Sequence, residues 1–310
     1  MKVSIGIPFY NPGKFFRESI ASILNQTFTD FELILLDDGS SDNSLEVANS
    51  FDDSRIRVIS DGTNKGLPNR LNELIDLSQG EYIARMDADD LVSIHRIAQQ
   101  VELLNKTPDV DVIATGLCSI TNNNEVIGYR LPGQEKRMSL PVVDAIFGRA
   151  DIGHATILVR KSWYVRNRYN ENARLMEDFQ LWIDASAKND LKVAFIKSPL
   201  YFYREESSVT PKKAIKAYFN GYKLIFTRYF KYLSICNKVK ITFLTFIKIV
   251  VTAIASLLKL SDKLLSLRNT STEQRLDVLQ KLQAEVDSFG THVNGYISFH
   301  ASANAEDKVN

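Results

Sequence analysis

Between residue 3 and residue 120, short apolar runs alternate with amphipathic stretches, and that alternation restricts the possible folds more than any other feature of the chain. The runs VSIGIPFY (3–10), FELILLDDGS (31–40), RIRVIS (55–60), EYIARMD (81–87) and VDVIATGLCSI (110–120) read as strands. Between them, KFFRESIASIL (14–24), DNSLEVANSF (42–51), LPNRLNELIDLS (67–78) and SIHRIAQQVELLNK (93–106) have helical periodicity, with Ser41 or Asp42 expected to cap the second. Strands separated by helices of this length imply βαβ units. The expected fold class is therefore α/β, a Rossmann-like, mostly parallel sheet flanked by helices. Ligands of such sheets bind beyond the carboxyl ends of the strands. The polar clusters PFYN, DDGSSD and MDADD all fall at those ends, which predicts one shared binding site.

A chain of 310 residues, 45% apolar, allows one large domain or one and a half. The first residues, MKVSIGIPFYN, read as a strand and not as a secretory leader. Cys118 and Cys236 are too isolated for a metal motif or a disulfide framework, so a reduced, cytoplasmic setting is expected. The net charge of +1 conceals two opposed blocks. Residues 211–268 hold 12 Lys and Arg against one acid, Asp262, a surplus of +11 that leaves −10 for the remainder.

Each polar cluster has a plain and a chemical reading. In LLDDGSSD, Asp37 and Asp38 end a buried strand and Gly39 permits a tight turn, which suits either helix capping or a carboxylate that accepts a hydrogen bond from a nucleobase or ribose. PFYNPG lacks the glycine pattern of a dinucleotide fold. NKGLPNRLNELI sets Lys65, Gly66 and Arg70 at a helix start, either as a surface lead-in or as a phosphate site. MDADD is the sharpest signal, because Asp87, Asp89 and Asp90 repel one another unless water solvates them or a cation is shared between them. Asp87 and Asp89 supply hard oxygen ligands suited to Mg²⁺ or Mn²⁺ together with substrate phosphates. In RLMEDFQLWIDAS, Leu175, Phe179, Trp182 and Ile183 are spaced for one helix face. Glu177 and Asp178 occupy its first turn, as macrodipole partners or as a general base. His154, ahead of an apolar strand, is either structural or in contact with acceptor, substrate or metal.

In this order, VSIGIPFYNPGKFFRESIASILNQTFTDFELILLDDGSSD, NKGLPNRLN, GEYIARMDADD and MEDFQLW resemble the family 2 glycosyltransferases, inverting enzymes of the GT-A fold, over roughly residues 3–205. The resemblance implies a nucleotide-sugar donor and a nucleoside pocket lined by Pro8, Tyr10, Asn11, Asp37 and Asp38, with Arg70 near the nucleotide. It implies that Asp87 and Asp89 hold metal and diphosphate. It makes Asp178, beside Glu177, the catalytic base. GHATILVRKS resembles the family's His-x-Thr strand before the acceptor region, with Ala155 where proline is common. The acceptor class it implies is a glycan or a lipid-linked sugar. A nucleotidyltransferase would need a richer triphosphate loop than FYNPGK, and a receiver-like module would be shorter.

The expected division is a catalytic unit over 1–210, a basic amphipathic helical region over 211–268, and a helical or disordered tail over 269–310. ITFLTFIKIVVTAIASLLKL (241–260) is long enough to span a bilayer. Lys238, Thr242, Thr245, Lys248, Thr252, Ser256, Lys259 and Lys263 nevertheless form a narrow polar stripe, and Lys248 at mid-span would cost about 2.5–3.5 kcal/mol. An interfacial helix on an anionic inner membrane face avoids that cost. The basic residues alternate with long aliphatics, so no nucleic-acid partner is expected.

Overall fold

The structure, a computed structural model, describes residues 1–173, 175–205, 210–258, 260 and 273–289. Ten strands form one sheet: β1 (Val3–Phe9), β2 (Phe31–Asp37), β3 (Ile56–Ile59), β4 (Tyr82–Arg85), β5 (Leu91–Val92), β6 (Val112–Ile120), β7 (Val126–Arg130), β8 (Lys136–Arg137), β9 (Leu158–Arg160) and β10 (Val193–Arg204). They run in the order β3-β2-β1-β4-β9-β6-β10-β5, with β7 on β6 and β8 on β10. The half expected from the alternation, β3-β2-β1-β4, is parallel throughout. Beyond it the sheet is mixed, because β9 runs antiparallel to both β4 and β6 while β10 is parallel to β6. Every residue of β1 and β2 is buried, as their continuous apolar runs require of strands covered on both faces.

Helices α1 (Phe16–Leu24), α2 (Ser44–Asn49) and α4 (Arg96–Lys106) cover one face. Phe16, Ile20, Ala48, Ile97 and Leu104 pack there against Ile5, Ile7, Leu33 and Leu35. The other face is covered by α3 (Leu67–Leu77), α5 (Val142–Ile146), α6 (Lys161–Arg166) and α7 (Glu177–Ala187), around Trp163 and Trp182. The cap of α2 is Asn43, not Ser41 or Asp42; Asp42 instead accepts a hydrogen bond from the Ser44 N–H. Leu175 lies before α7 rather than on its apolar face, exposed and at φ 67°, a left-handed conformation that is strained for a leucine.

Packing does not stop at residue 210. Helix α8 (Pro211–Leu224), a π-helical turn at Ile225–Tyr229 and helix α9 (Ile235–Leu257) follow. Ile225, Tyr229, Leu233 and Ile241 join the core around Trp163. The seam of α9 toward α8 and that core carries Ile241, Thr252 and Ala255, and Lys248 Nζ lies 5.8 Å from the centre of the Tyr218 ring. Its outer face bears Val239, Phe243, Phe246, Val251 and Ile254 in the open. Part of the polar stripe thus faces inward and the apolar side outward. The helix is long and apolar enough to cross a membrane by length and composition. Lys259, Lys263 and the segment ASANAEDKVN lie outside the described residues.

A helical run over 276–289 returns to the sheet, where Leu282, Val286 and Phe289 pack on Leu91, Cys118 and Phe202. Just ahead of it Gln274 pairs with both backbone groups of Tyr129, and Gln283 accepts from Val126 N–H and donates to the Asn124 carbonyl. Two glutamine amides thereby satisfy the open edge of β7 as a further strand would.

Candidate active site

Chain direction explains which residues meet. The loops after β1, β2 and β4 leave the same edge of the parallel half. β9 runs the other way, with Ala84 opposite Leu158, so the turn before it brings His154 back to the end of β4. The C-terminal end of β10 reaches the same place through Tyr201 and Arg204, and α7 begins there.

Arg85, the last residue of β4, is the hub and was not singled out from sequence. It is buried, donates Nη1 to His154 Nδ1 at 3.1 Å and pairs through Nη2 with Asp87. The neighbouring carboxylate holds the guanidinium strongly in its charged form against burial. His154 Nε2 lies 2.8 Å from the Tyr169 hydroxyl, which is 3.1 Å from that of Tyr164. Since Arg85 donates to Nδ1, Nε2 carries the proton. Burial and Arg85 push the His154 pKa well below 6.5, so the imidazole is neutral.

The MDADD loop is fixed from beneath. Asp90 is fully buried and accepts from the Tyr201 hydroxyl at 2.7 Å and from Arg204 N–H at 2.8 Å. Tyr201 Oη also accepts from Asp87 N–H, and Arg204 Nε donates to the Asp89 carbonyl at 2.8 Å. Arg96, buried at the base, donates to the carbonyls of Arg85, Ala155 and Ile157 and so ties β4 to the His154 turn. Asp87 and Asp89 remain partly exposed above this frame. Burial and the Asp87 charge raise the Asp89 pKa.

Glu177 and Asp178 open α7. Asp178 Oδ1 accepts from Phe179 N–H at 2.7 Å, while Glu177 Oε2 is buried with no partner among the described residues. Burial raises both pKa values, that of Glu177 to about 7, and both groups feel the charges of Arg85 and Asp87. Trp182 of α7 meets His154 edge-on with ring centres 6.3 Å apart, and the acidic pair at the start of α7 lies within electrostatic reach of Arg85 and Asp87.

The expected nucleoside residues divide. Asp37 accepts from Ser40 N–H and from the Ser60 hydroxyl, and Pro8 is buried in β1. Tyr10 stands 54% exposed at the rim, available to a planar ligand. Asn11 is a loop pin, since its Oδ1 accepts from Ser41 and Asp42 N–H and its Nδ2 donates to Ser41. Asp38 is held by Lys65 N–H, Gly66 N–H and Arg70 Nε, which locks the turn at Gly39, where φ is 74° and a Cβ would meet the Thr63 backbone at 2.9 Å. Arg70 departs from the expectation of a group free for the nucleotide. It is fully buried, and its five N–H groups all donate, to Asp38, Asp61, Glu73 and the Thr63 carbonyl. It is a clamp that shapes the pocket.

A mixed sheet with this edge constellation defines a nucleotide-sugar transferase fold, and the comparisons agree. The family model for glycosyl transferase family 2 matches residues 4–162, and the chain belongs to that family. The chain is 32% identical over 219 residues to a putative glycosyltransferase, EpsE, of Bacillus subtilis, covering 69% of this chain and 76% of that one. It is 28% identical to the UDP-Glc:alpha-D-GlcNAc-diphosphoundecaprenol beta-1,3-glucosyltransferase WfgD of Escherichia coli, covering 61% and 71%. Among solved structures, S. aureus TarS in complex with UDP shares the fold at a TM-score of 0.56 and 20% identity, covering 78% of this chain and 69% of that one. The protein is a glycosyltransferase of the GT-A fold.

Proposed function

We propose that the protein is an inverting, metal-dependent glycosyltransferase that moves a sugar from a nucleotide diphosphate to a hydroxyl of a glycan or lipid-linked acceptor. The observation that carries this reading is that the acids opening α7 lie within electrostatic reach of Arg85 and of Asp87 in the MDADD loop. The loops of Asp37, Asp38 and Asn11 form the nucleoside side of the cleft, with Tyr10 at its rim. Asp87 and Asp89, two hard oxygen ligands, would suit a Mg²⁺ or Mn²⁺ ion completed by water and donor oxygens. Such an ion, when bound, neutralises the departing diphosphate.

The chain's own residues supply the rest. Asp178 accepts the proton of the acceptor hydroxyl as it attacks the anomeric carbon from the face opposite the diphosphate, which inverts that centre. Glu177, with a pKa raised to about 7, keeps the first turn of α7 from accumulating two full charges near neutral pH. Neutral His154 donates to Tyr169 and holds the acceptor-side loop. The exposed apolar face of α9, with lysines beside it, supports peripheral attachment to an anionic inner membrane face. WfgD, by its name, acts on a diphosphoundecaprenol-linked sugar, which supports a lipid-linked acceptor.

Asp89→Asn tests the centre. Turnover should fall below detection, and Mn²⁺ should no longer tighten UDP binding in calorimetry, while the circular dichroism spectrum is retained. Equal Mn²⁺ dependence in the variant and the parent would refute the assignment.

A further inference from the structure

Arg85 takes one oxygen of a proposed metal ligand. Its Nη2 donates to Asp87 Oδ1, and the other carboxylate oxygen, Oδ2, accepts no hydrogen bond among the described residues. The Asp87 side chain is 33% exposed and that of Arg85 only 4%, so the carboxylate can be reached from outside although its partner cannot.

Both halves of the pair are anchored. Arg85 Nη1 donates to His154 Nδ1 at 3.1 Å, and His154 Nε2 donates to the Tyr169 hydroxyl at 2.8 Å. Tyr169 is fixed in turn by Asn72 of α3, which accepts from its N–H at 3.1 Å and donates to its carbonyl at 3.0 Å. Swinging Arg85 off Asp87 would strand a buried charge, which is strongly unfavourable. On the other side, Asp87 N–H donates to Tyr201 Oη at 3.1 Å, and Arg204 Nε holds the next-but-one carbonyl, that of Asp89, at 2.8 Å. With its backbone and one oxygen both held, Asp87 has a single oxygen left to offer.

Divalent ions differ in what they ask of a carboxylate. Ca²⁺ takes roughly six to eight oxygens at about 2.3–2.6 Å, in flexible geometry and often from both oxygens of one carboxylate. Mg²⁺ wants near-ideal octahedral geometry at about 2.0–2.1 Å and keeps waters beside one or two carboxylates. Mn²⁺ shares that octahedral oxygen shell. Building on the metal-dependent glycosyltransferase reading, we infer that Arg85 is a specificity-determining residue: by occupying Asp87 Oδ1 it limits Asp87 to one metal bond and so selects Mg²⁺ or Mn²⁺ against Ca²⁺. His154 is the positioning residue behind it, because it fixes the guanidinium from the far side.

Calorimetry of UDP binding to the full chain, with Mn²⁺, Mg²⁺, Ca²⁺ or EDTA, tests the inference without turnover. In the parent protein, Mn²⁺ should tighten UDP at least tenfold more than Ca²⁺ does. In Arg85→Gln that ratio should fall at least fivefold, through stronger binding with Ca²⁺. Loss of a positive charge acts alike on two ions of equal charge, so the ratio isolates the geometry. The pair His154→Gln and His154→Leu reads the same point with Arg85 intact, should Arg85→Gln not fold. Glutamine, which can accept from Arg85 and donate to Tyr169, should keep the parent's ratio, and leucine should lower it. Ca²⁺ that serves as well as Mn²⁺ in the parent, or a ratio unchanged in Arg85→Gln or in His154→Leu, would overturn the inference. A parent whose UDP affinity responds to no divalent ion would instead refute the metal-dependent reading on which the inference rests.

Discussion

Replacing Glu177 with Gln should make the protein more stable at neutral and alkaline pH, even though the residue lies in the active site. Its carboxyl is mostly buried at the start of α7, one oxygen has no hydrogen-bond partner among the described residues, and Asp178 stands beside it. Burial first, then the Asp178 charge, raises its pKa from 4.5 to about 7. A carboxyl whose pKa rises on folding contributes its full stability below the unfolded value, and that contribution is lost as the pH climbs through the folded one. The gap corresponds to about 3 kcal/mol of charging cost above pH 7. Glutamine removes that cost but leaves a buried amide unpaired, at about 1–2 kcal/mol. The net gain should be about 1–2 kcal/mol at pH 8. At pH 4, where wild-type Glu177 is protonated in both states, the charging advantage disappears and the variant should be no more stable. Urea unfolding of both proteins at pH 4, 6 and 8, without metal or nucleotide, measures this. A stability difference that stays the same from pH 4 to pH 8, or a variant less stable at pH 8, would refute the electrostatic account.

Two further outcomes follow from the same geometry. Asp178→Asn should lower kcat by about 10²–10⁴ with little change in donor KM, read from steady-state kinetics; a variant with wild-type turnover would move the base to Glu177. The exposed apolar face of α9 should carry the full-length protein into the pellet with anionic vesicles at low salt, and high salt should weaken but not abolish that binding. Protein that stays in the supernatant would refute the interfacial reading, and protein that alkaline carbonate cannot strip from native membranes would show that the helix spans.

The parallel half of the sheet was legible because each strand is a buried apolar run and each helix has an apolar stripe. The strands expected over 3–10, 31–40 and 81–87 appear as Val3–Phe9, Phe31–Asp37 and Tyr82–Arg85. Acidic residues at strand ends were legible for the same reason, since the end of a strand fixes where they stand. Partners supplied from far along the chain were not. Arg70 reads as a phosphate ligand until Asp38, Asp61 and Glu73 are seen to take all its N–H groups. Tyr201 and Arg204 lie more than a hundred residues from the motif they brace, in a strand whose register no local pattern announces. The helical run over 276–289 reads as tail, yet Phe289 meets Phe202 edge-to-face with centroids 5.8 Å apart. Arg85 did leave a signal: an arginine inside a strand that is otherwise apolar must be paired if it is buried, and the nearest acids were those of MDADD.

Arg85 also decides which group can take a proton. A histidine at the mouth of an active site is the usual first choice for a base near neutral pH. Here the guanidinium donates to His154 Nδ1 and occupies its lone pair, and burial beside the same positive charge keeps the ring from accepting a second proton. The imidazole therefore has no free basic nitrogen while Arg85 is in place. The same positive charge acts the other way on carboxylates. It favours the ionised forms of Glu177 and Asp178 against a burial that would otherwise protonate them. One buried cation thus removes the histidine from acid–base work and keeps the α7 acids available for it. On the proposed mechanism, proton removal then falls to the acids that open α7.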